Sequence, residues 1–522
     1  MTRRALSPAA PPGARPAQAG GQGGTPAEEK RCSRELPAPL AARVRTLSDA
    51  APDPQGRYVL CWLQQALRAM DNPALDVAVT RANALGLPCL VHVGIREDTP
   101  YASDRLHHFR AGASATLEKG LAARGIACAT HLNRPSHDDP DLILRLAGDA
   151  ALVVTDDAPM PAAREPADRL AAQINAPVWA VDAHRMVPLS LLREDIRTTK
   201  GFRAAHKPLR DDPAARPDDV APDHLPYDGP LCFTPDRLGA RRATTLAKWI
   251  AECRIDHSLP PVERFEASQA RLDALLDRLI DTVLPVYKWR RNNPADDASA
   301  SLLSPYLHFG MIGPRAIAAR IAAAEAPANC KWKFLDELLT WREWFAYLAV
   351  TQDAPASYGS VSGSARETLA AHADDPRDTI YSLDDLIHGR TDDETWNAAQ
   401  RQFLADGYMH NNLRMYWGKR IIGWTPSPEA AWSTACYLND RLSYDGRDPA
   451  TYGNMGWVFG QGRPAYREAP VYGWIAPKSD RALRRRPGAA EWLAREAMRE
   501  GPQVTVPDTV PDYTGSTSPH PQ

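Results

Sequence analysis

From Arg57 onward the chain alternates short apolar runs with longer segments whose apolar positions recur every three to four residues. Tyr58 to Leu63, Pro88 to Val93, Ile126 to His131, Ala151 to Thr155 and Pro177 to Val181 are the short runs. Between them, Asn72 to Leu85, His107 to Arg124, Asp141 to Leu146 and Asp168 to Asn175 carry helical spacing. Short runs that are apolar throughout suit strands covered on both faces, and strands separated by helices run parallel. Residues 57–190 are therefore expected to form a doubly wound α/β domain with a parallel sheet. No GxGxxG opens the first helix, so the dinucleotide-binding fingerprint is absent.

The texture then changes twice. Residues 191–237 hold seven prolines and read as a connector between domains rather than a core element. Beyond them the strand-like runs vanish. Ala240 to Ile250, Glu266 to Val283, Pro314 to Ala324, Lys333 to Ala349, Thr391 to Gly407, Asn411 to Ile422 and Ser427 to Leu442 are helical by period, so residues 238–490 are expected to be a large all-helical domain. The ends differ again. Residues 1–40 are rich in Ala, Pro, Gly and Gln, and residues 501–522 in Pro, Thr, Ser, Asp and Gly, compositions that predict a flexible leader and a flexible tail.

Composition narrows the function classes. The 522 residues carry 62 basic and 64 acidic side chains, a formal charge of −2, so no global positive field recruits nucleic acid and any such site must be a local face. The eight cysteines are dispersed, with no CxxC and no Cys/His cluster at zinc spacing, which predicts reduced thiols, no metal site and a cytosolic location. No apolar run reaches membrane-spanning length. Twelve of the fourteen tryptophans lie at or after Trp249, several beside Asn, Arg or Glu, an unusual neighbourhood for core anchors.

The first stretch with chemical character runs from Ser299 to Gly310, Ser-Ala-Ser-Leu-Leu-Ser-Pro-Tyr-Leu-His-Phe-Gly. Ser301 and Ser304 can cap the following helix, or their hydroxyls and backbone N–H groups can face a diphosphate. The Ser301 to Gly310 part of this run is one of six segments that together resemble the cryptochrome/photolyase flavoprotein family, nearest to its class II cyclobutane pyrimidine dimer photolyases. The others are Gln65 to Leu75, Phe334 to Glu343, Trp396 to Gln400, Gly407 to Lys419, and Tyr437 to Pro449 with its Asn439-Asp440 and Asp445-Gly446-Arg447-Asp448-Pro449.

The resemblance implies an FAD cofactor in the helical domain. Ser301, Leu302, Leu303 and Ser304 would line its pyrophosphate, and Arg342, Arg414, Asn439 and Asp445 its isoalloxazine and ribityl parts. Asn439 can both donate and accept, as a flavin N5 requires; Arg414 and Asp445 also read as an interhelical ion pair. Glu337 and Trp341, four apart on one helical face, together with Trp457 and Met415, would receive the lesion, with the dimer between aromatic surfaces and a protonated Glu337 at the pyrimidine carbonyl edge. Trp396, Trp417 and Trp424 match the family's electron relay; by spacing alone they read as core packing. An antenna pigment, deazaflavin or folate, is left open, and Gln65, Arg68, Asp71 and Asn72 read first as capping and packing residues.

The implied activity is light-dependent repair of cyclobutane pyrimidine dimers in duplex DNA, a carbon–carbon lyase reaction driven by electron transfer from excited reduced FAD, by a chain expected to be monomeric. The Arg481–Arg486 run reads equally as a DNA contact and as a solvated helix end. Two departures from the family pattern stand out: Gln461-Gly462-Arg463-Pro464 replaces a segment that in relatives carries His-Asp before Arg-Pro, and Trp344-Phe345 follows Arg342-Glu343 where relatives have other residues. A cryptochrome-like light sensor is the alternative reading. A flavin-stabilised binding protein is a third, and it leaves the tryptophan set unexplained.

Overall fold

A computed structural model describes residues 36–210 and 219–515. The expected leader lies outside the described residues up to Glu35; from Leu36 the chain is packed, with Leu36 and Leu40 buried.

An N-terminal α/β domain precedes a large helical domain. Its six strands are β1 (Val44–Thr46), β2 (Tyr58–Trp62), β3 (Cys89–Ile95), β4 (Ala127–Leu132), β5 (Ala150–Asp156) and β6 (Val178–Val181), in the order β1-β6-β5-β2-β3-β4. β2 to β6 are parallel, and every residue of β2, β5 and β6 is buried, as apolar runs covered on both faces require. β1 is antiparallel to β6, a correction to the all-parallel expectation; three residues with one apolar position give no strand signal. Helix α1 (Pro73–Leu85) starts where expected because the Asn72 side chain accepts from Ala74 N–H, while its amide donates to the Ala66 and Arg68 carbonyls.

Strand order reverses beside β2, and the loop after β2 is fixed there by Asp156 at the end of β5. Its carboxylate accepts from the backbone N–H groups of Gln64, Gln65 and Ala66, and His184 Nε2 lies 3.1 Å away. A cavity of about 770 Å³ opens outside these strand ends, lined by Gln65, His92, Arg110, Met160 and Tyr513 among others. Arg68 is structural, as expected: its buried guanidinium donates to the Ala183 and Gly310 carbonyls.

The two domains are tied through buried cations that meet helix ends. Arg105 on α2 (Asp104–Ala123) donates to the Leu404 and Leu442 carbonyls, each at 2.7 Å, where α9 (Glu394–Asp406) and α11 (Pro428–Leu442) finish. The connector is more ordered than its prolines suggest. Within it α5 (Thr199–His206) buries Phe202 against Trp344 and Tyr347, at ring separations of 5.3 and 5.6 Å; residues 211–218 lie outside the described residues. Pro avoidance applies to helix interiors, and Thr199–His206 contains none.

The expected flexible tail is corrected over residues 501–515. Tyr513 is 1% exposed, and its hydroxyl donates to Asp440 Oδ2 (2.9 Å) while meeting the Tyr101 hydroxyl (2.7 Å). Asp440 also accepts from Tyr452 and from Arg447 N–H, and burial raises its carboxyl above the usual range. One aromatic anchor in a polar segment is enough to dock it, which composition averages hide. Replacing Tyr513 with Phe leaves a buried carboxylate short of a donor and should lower unfolding stability by about 1–3 kcal/mol, read from the urea midpoint; an unchanged midpoint would show that the segment adds nothing.

Candidate functional site

The helical domain encloses a cavity of about 840 Å³. Ser301, Leu302, Leu303 and Ser304 all line it. Leu302 sits at φ +61°, a left-handed conformation that turns the chain so that the run follows the cavity wall. The serines do not cap as the local reading allowed: helix α6 (Ser304–His308) begins after Leu303 with no side-chain cap, and Ser301 Oγ accepts from Leu303 N–H at 3.4 Å.

Opposite stands a long helix made of α7 (Ala328–Asp336), a π-helical turn (Glu337–Trp341) and α8 (Arg342–Thr351). The Arg342 N–H bonds to the Glu337 carbonyl five residues back, and this widened turn brings both Glu337 and Trp341 to the cavity. Trp457, on α12 (Pro449–Val458), meets Trp341 with ring centroids 4.4 Å apart and planes at 80°. The indoles thus make a right-angled corner, where the sequence suggested a sandwich. Gly453 lets α12 approach so closely: a Cβ there would lie 2.1 Å from the Phe345 ring, which itself packs on Trp457 at 5.6 Å. Glu337 lies between two cations. Its Oε1 is 2.6 Å from Lys333 Nζ and 2.9 Å from Arg291.

On α10 (Asn411–Trp424), Arg414, Met415 and Lys419 line the cavity, and Arg414 lies 3.9 Å from Asp445, which also lines it. Asn439 stands just behind the wall, its amide donating to Thr451 Oγ1 at 3.0 Å. Its Oδ1 is buried without a partner, as is Arg414 Nε. Orphaned buried polar atoms on one wall fit a polar ligand such as the implied flavin. Arg342 does not join them. Its guanidinium donates to the His184 carbonyl (3.0 Å) and lies 3.4 Å from buried Glu343, so it serves the contact with the α/β domain.

Trp396, Trp417 and Trp424 are all buried and form a connected set. Trp396 is central, stacked on Trp417 at 6.2 Å and 3°, and edge-on to Trp424 at 5.2 Å and 79°. The indole N–H groups are fixed: Trp417 donates to Gln400 Oε1 (2.8 Å) and Trp396 to the Trp417 carbonyl (3.0 Å). Trp417 lies at the Arg414–Met415 end, while Trp424 lies under the Arg420 guanidinium, 4.5 Å from the ring, and beside Tyr381, 5.1 Å away.

Sequence reasoning missed several groups. Arg291, Lys333, Lys419, Arg463 and Lys478 line the cavity; the sequence reading gave none of them a role there, although Lys419 closes the Gly407–Lys419 segment and lies one helical turn from Met415. It also missed a cluster in the α/β domain, where ligand atoms of His131, His137 and Asp236 lie within 4.8 Å of one another. Arg134 already pairs with that Asp236 at 3.0 Å, and burial lowers His131 to about 4. Among the described residues no helix is long and apolar enough to cross a membrane.

Residues 59–218 match the family model for DNA photolyase. The chain is 31% identical over 461 residues to the deoxyribodipyrimidine photo-lyase of Methanothermobacter thermautotrophicus, covering 87% of this chain and 98% of that one. A class III photolyase from Agrobacterium tumefaciens superposes with a TM-score of 0.62 at 21% identity, over 84% of this chain and 86% of that chain. An archaeal photolyase from Sulfolobus tokodaii, solved with two FAD molecules, superposes at 0.56 and 16% identity, over 84% of this chain and 90% of that chain. At these identities the structural likeness carries the fold alone, and neither matched structure is described as class II.

The cavity's charge has a measurable consequence. Burial, reinforced by Arg463 and Lys478, lowers Lys419 to about 7. The unfolded chain holds that proton up to about 10.4, so the folded state is penalised in full below pH 7 and stability recovers as pH rises through this window. In unliganded protein, Lys419→Met should therefore stabilise at pH 6 and lose most of that gain by pH 10, as followed by denaturant unfolding; a gain independent of pH would contradict the assignment.

Proposed function

Because the chain belongs to the cryptochrome/photolyase family, we propose that it repairs cyclobutane pyrimidine dimers in DNA, in the manner of the class II enzymes, by light-driven electron transfer from reduced FAD. The observation that carries this reading is the Trp341–Trp457 corner, which faces the same cavity as the Ser301–Ser304 run and the Arg414–Asp445 pair. A lesion site and a flavin site within one cavity are what repair needs and sensing does not.

Ser301, Leu302, Leu303 and Ser304 would hold the pyrophosphate, while Arg414, Asp445 and Asn439 would hold the ring system and ribityl chain. When bound and reduced, FAD supplies a photoexcited one-electron donor. The chain's own residues do the rest. Trp341 and Trp457 offer two indole faces to an extruded dinucleotide, which is readily unstacked because its pairing is already damaged. Met415, on α10, lines the same cavity and would border the lesion. Glu337, held by Lys333 and Arg291, presents a hydrogen-bonding edge that can respond to charge arriving on the pyrimidines. Trp417, Trp396 and Trp424, in that order outward, would relay an electron inward to reduce the cofactor. Any antenna pigment would occupy the second cavity, of about 770 Å³, at the strand ends of the α/β domain.

A sensor would retain the relay yet leave the aromatic corner without a task. Defined dimer-containing duplexes, incubated with pre-reduced protein in light and in darkness, test the reading directly: dimers should disappear only under light, and no loss in either arm would reject repair. Trp341→Ala should weaken the preference for dimer over undamaged DNA by about 1–3 kcal/mol, roughly five- to 150-fold, with FAD retained. Glu337→Gln should lower repair per absorbed photon more than affinity. Trp396→Phe should slow photoreduction of the oxidised flavin in transient absorption and spare repair by chemically reduced protein; unchanged photoreduction would remove Trp396 from the relay.

A further inference from the structure

His131 is the penultimate residue of β4, the edge strand of the sheet. It is 4% exposed, and among the described residues neither of its ring nitrogens has a hydrogen-bond partner. A neutral imidazole carries one N–H and one lone pair, so a buried ring with both idle is short of two partners. The ring itself is well held, edge-on to Phe233 at 5.7 Å and to His137 at 4.6 Å. Burial lowers His131 to about 4, so it is neutral at pH 7 and one nitrogen offers a lone pair.

That lone pair has company. His131 Nδ1 faces Asp236 Oδ2 from 3.9 Å, beyond hydrogen-bond reach, and His137 Nδ1 stands 3.3 Å from Asp236 Oδ1. Ligand atoms of the three residues all lie within 4.8 Å of one another. Two ligands on a tetrahedral Zn²⁺, with bonds of about 2.1 Å, sit about 3.4 Å apart. The His137–Asp236 pair already has this spacing, and His131 has only to close slightly. The carboxylate is positioned from behind, as metal-binding carboxylates are: Oδ2 accepts from Leu132 N–H at 2.7 Å, and Arg134 donates to the two oxygens at 3.0 and 3.2 Å. Asp236 is not the sole counter-charge of Arg134, whose guanidinium also lies 4.4 Å from the Trp249 ring and 3.9 Å from Glu252. His137 closes a short 3₁₀ turn after β4 and is partly exposed, which gives an ion a way in from solvent.

We propose that His131, His137 and Asp236 bind one Zn²⁺-class divalent cation, with water completing a tetrahedral set. Two imidazoles select against Mg²⁺ and Ca²⁺, which take oxygen ligands. The cation fastens the end of the proline-rich connector to the edge of the sheet. Asp236 already meets β4 there: its N–H donates to the Thr130 carbonyl at 2.9 Å, and Leu238 N–H donates to Thr130 Oγ1 at 3.1 Å. No short motif announces such a site, because His137 and Asp236 are 99 residues apart. It belongs to the α/β domain and stands independently of the repair reading.

The test uses full-length, FAD-loaded protein without an affinity tag, stripped with chelator and dialysed. Co²⁺ is titrated in, its visible absorption reporting nitrogen ligation, and Zn²⁺ or Mg²⁺ is then added in competition. One equivalent of Co²⁺ should produce the band, Zn²⁺ should abolish it and Mg²⁺ should leave it unchanged. Zn²⁺ should also raise the thermal unfolding midpoint, because a cation held only by the folded site stabilises it. His131→Phe and His137→Ala should each weaken Co²⁺ binding by about 100-fold or more, beyond the usual cost of losing an outer partner, and should abolish the midpoint shift. Circular dichroism reports whether each variant is folded, and His137, on its partly exposed turn, keeps the test open should the His131 variant fail to fold. A band undiminished in either folded variant would place the metal elsewhere and overturn the assignment. A wild type with neither band nor midpoint shift would overturn it outright.

Discussion

An open cavity of about 840 Å³ inside a helical domain has to be held against collapse, because the default for apolar helices is to close on one another. Here each wall is propped from behind. Asn439 is held by Thr451, and Arg414 by Asp445 and the Met409 carbonyl. Glu337 is fixed by two cations, and the helix that carries it by Glu343, whose carboxylate accepts from Met186 N–H at 3.0 Å. The π-helical turn at Glu337–Trp341 serves the same end: one helix packs on the α/β domain and, through a widened turn, keeps Glu337 and Trp341 at the cavity.

The tryptophans fall into two sets by burial and bonding. Trp341 and Trp457 are half-buried, meet at a right angle and remain available to a ligand. Trp396 and Trp417 are fully buried with their N–H groups bonded to amide oxygens, which fixes ring positions and leaves no acid or base at either indole. Such a pair suits passage of charge without local proton exchange. At its outer end Trp424 meets Arg420 and Tyr381, where the surroundings turn polar.

Much of this was legible in the sequence, and the reasons differ by element. Fully buried parallel strands announce themselves as unbroken apolar runs, so β2 to β6 were evident, while β1 was too short and too polar to register. The Ser301–Ser304 run, the Glu337–Trp341 spacing and the tryptophan set were readable as motifs. What they touch was not. Arg342 looked like a cavity residue, and its guanidinium instead donates to the His184 carbonyl of the α/β domain. The pairing of Glu337 with Arg291 spans some 46 residues of chain, and no local pattern reports it. Tyr513 docks a tail whose average composition is that of a solvated segment. The cavity's cations come from separate segments of chain, and their convergence is a property of the fold alone.

In the proposed repair reaction one cavity holds a reduced flavin and a damaged dinucleotide close enough for direct electron transfer. The excited-state lifetime of the reduced flavin, measured by time-resolved fluorescence with and without saturating dimer-containing DNA, tests this most directly. A lifetime shortened by the dimer, and unchanged by undamaged DNA of the same sequence, is the result predicted. A lifetime that stays the same while the dimer is demonstrably bound would contradict it.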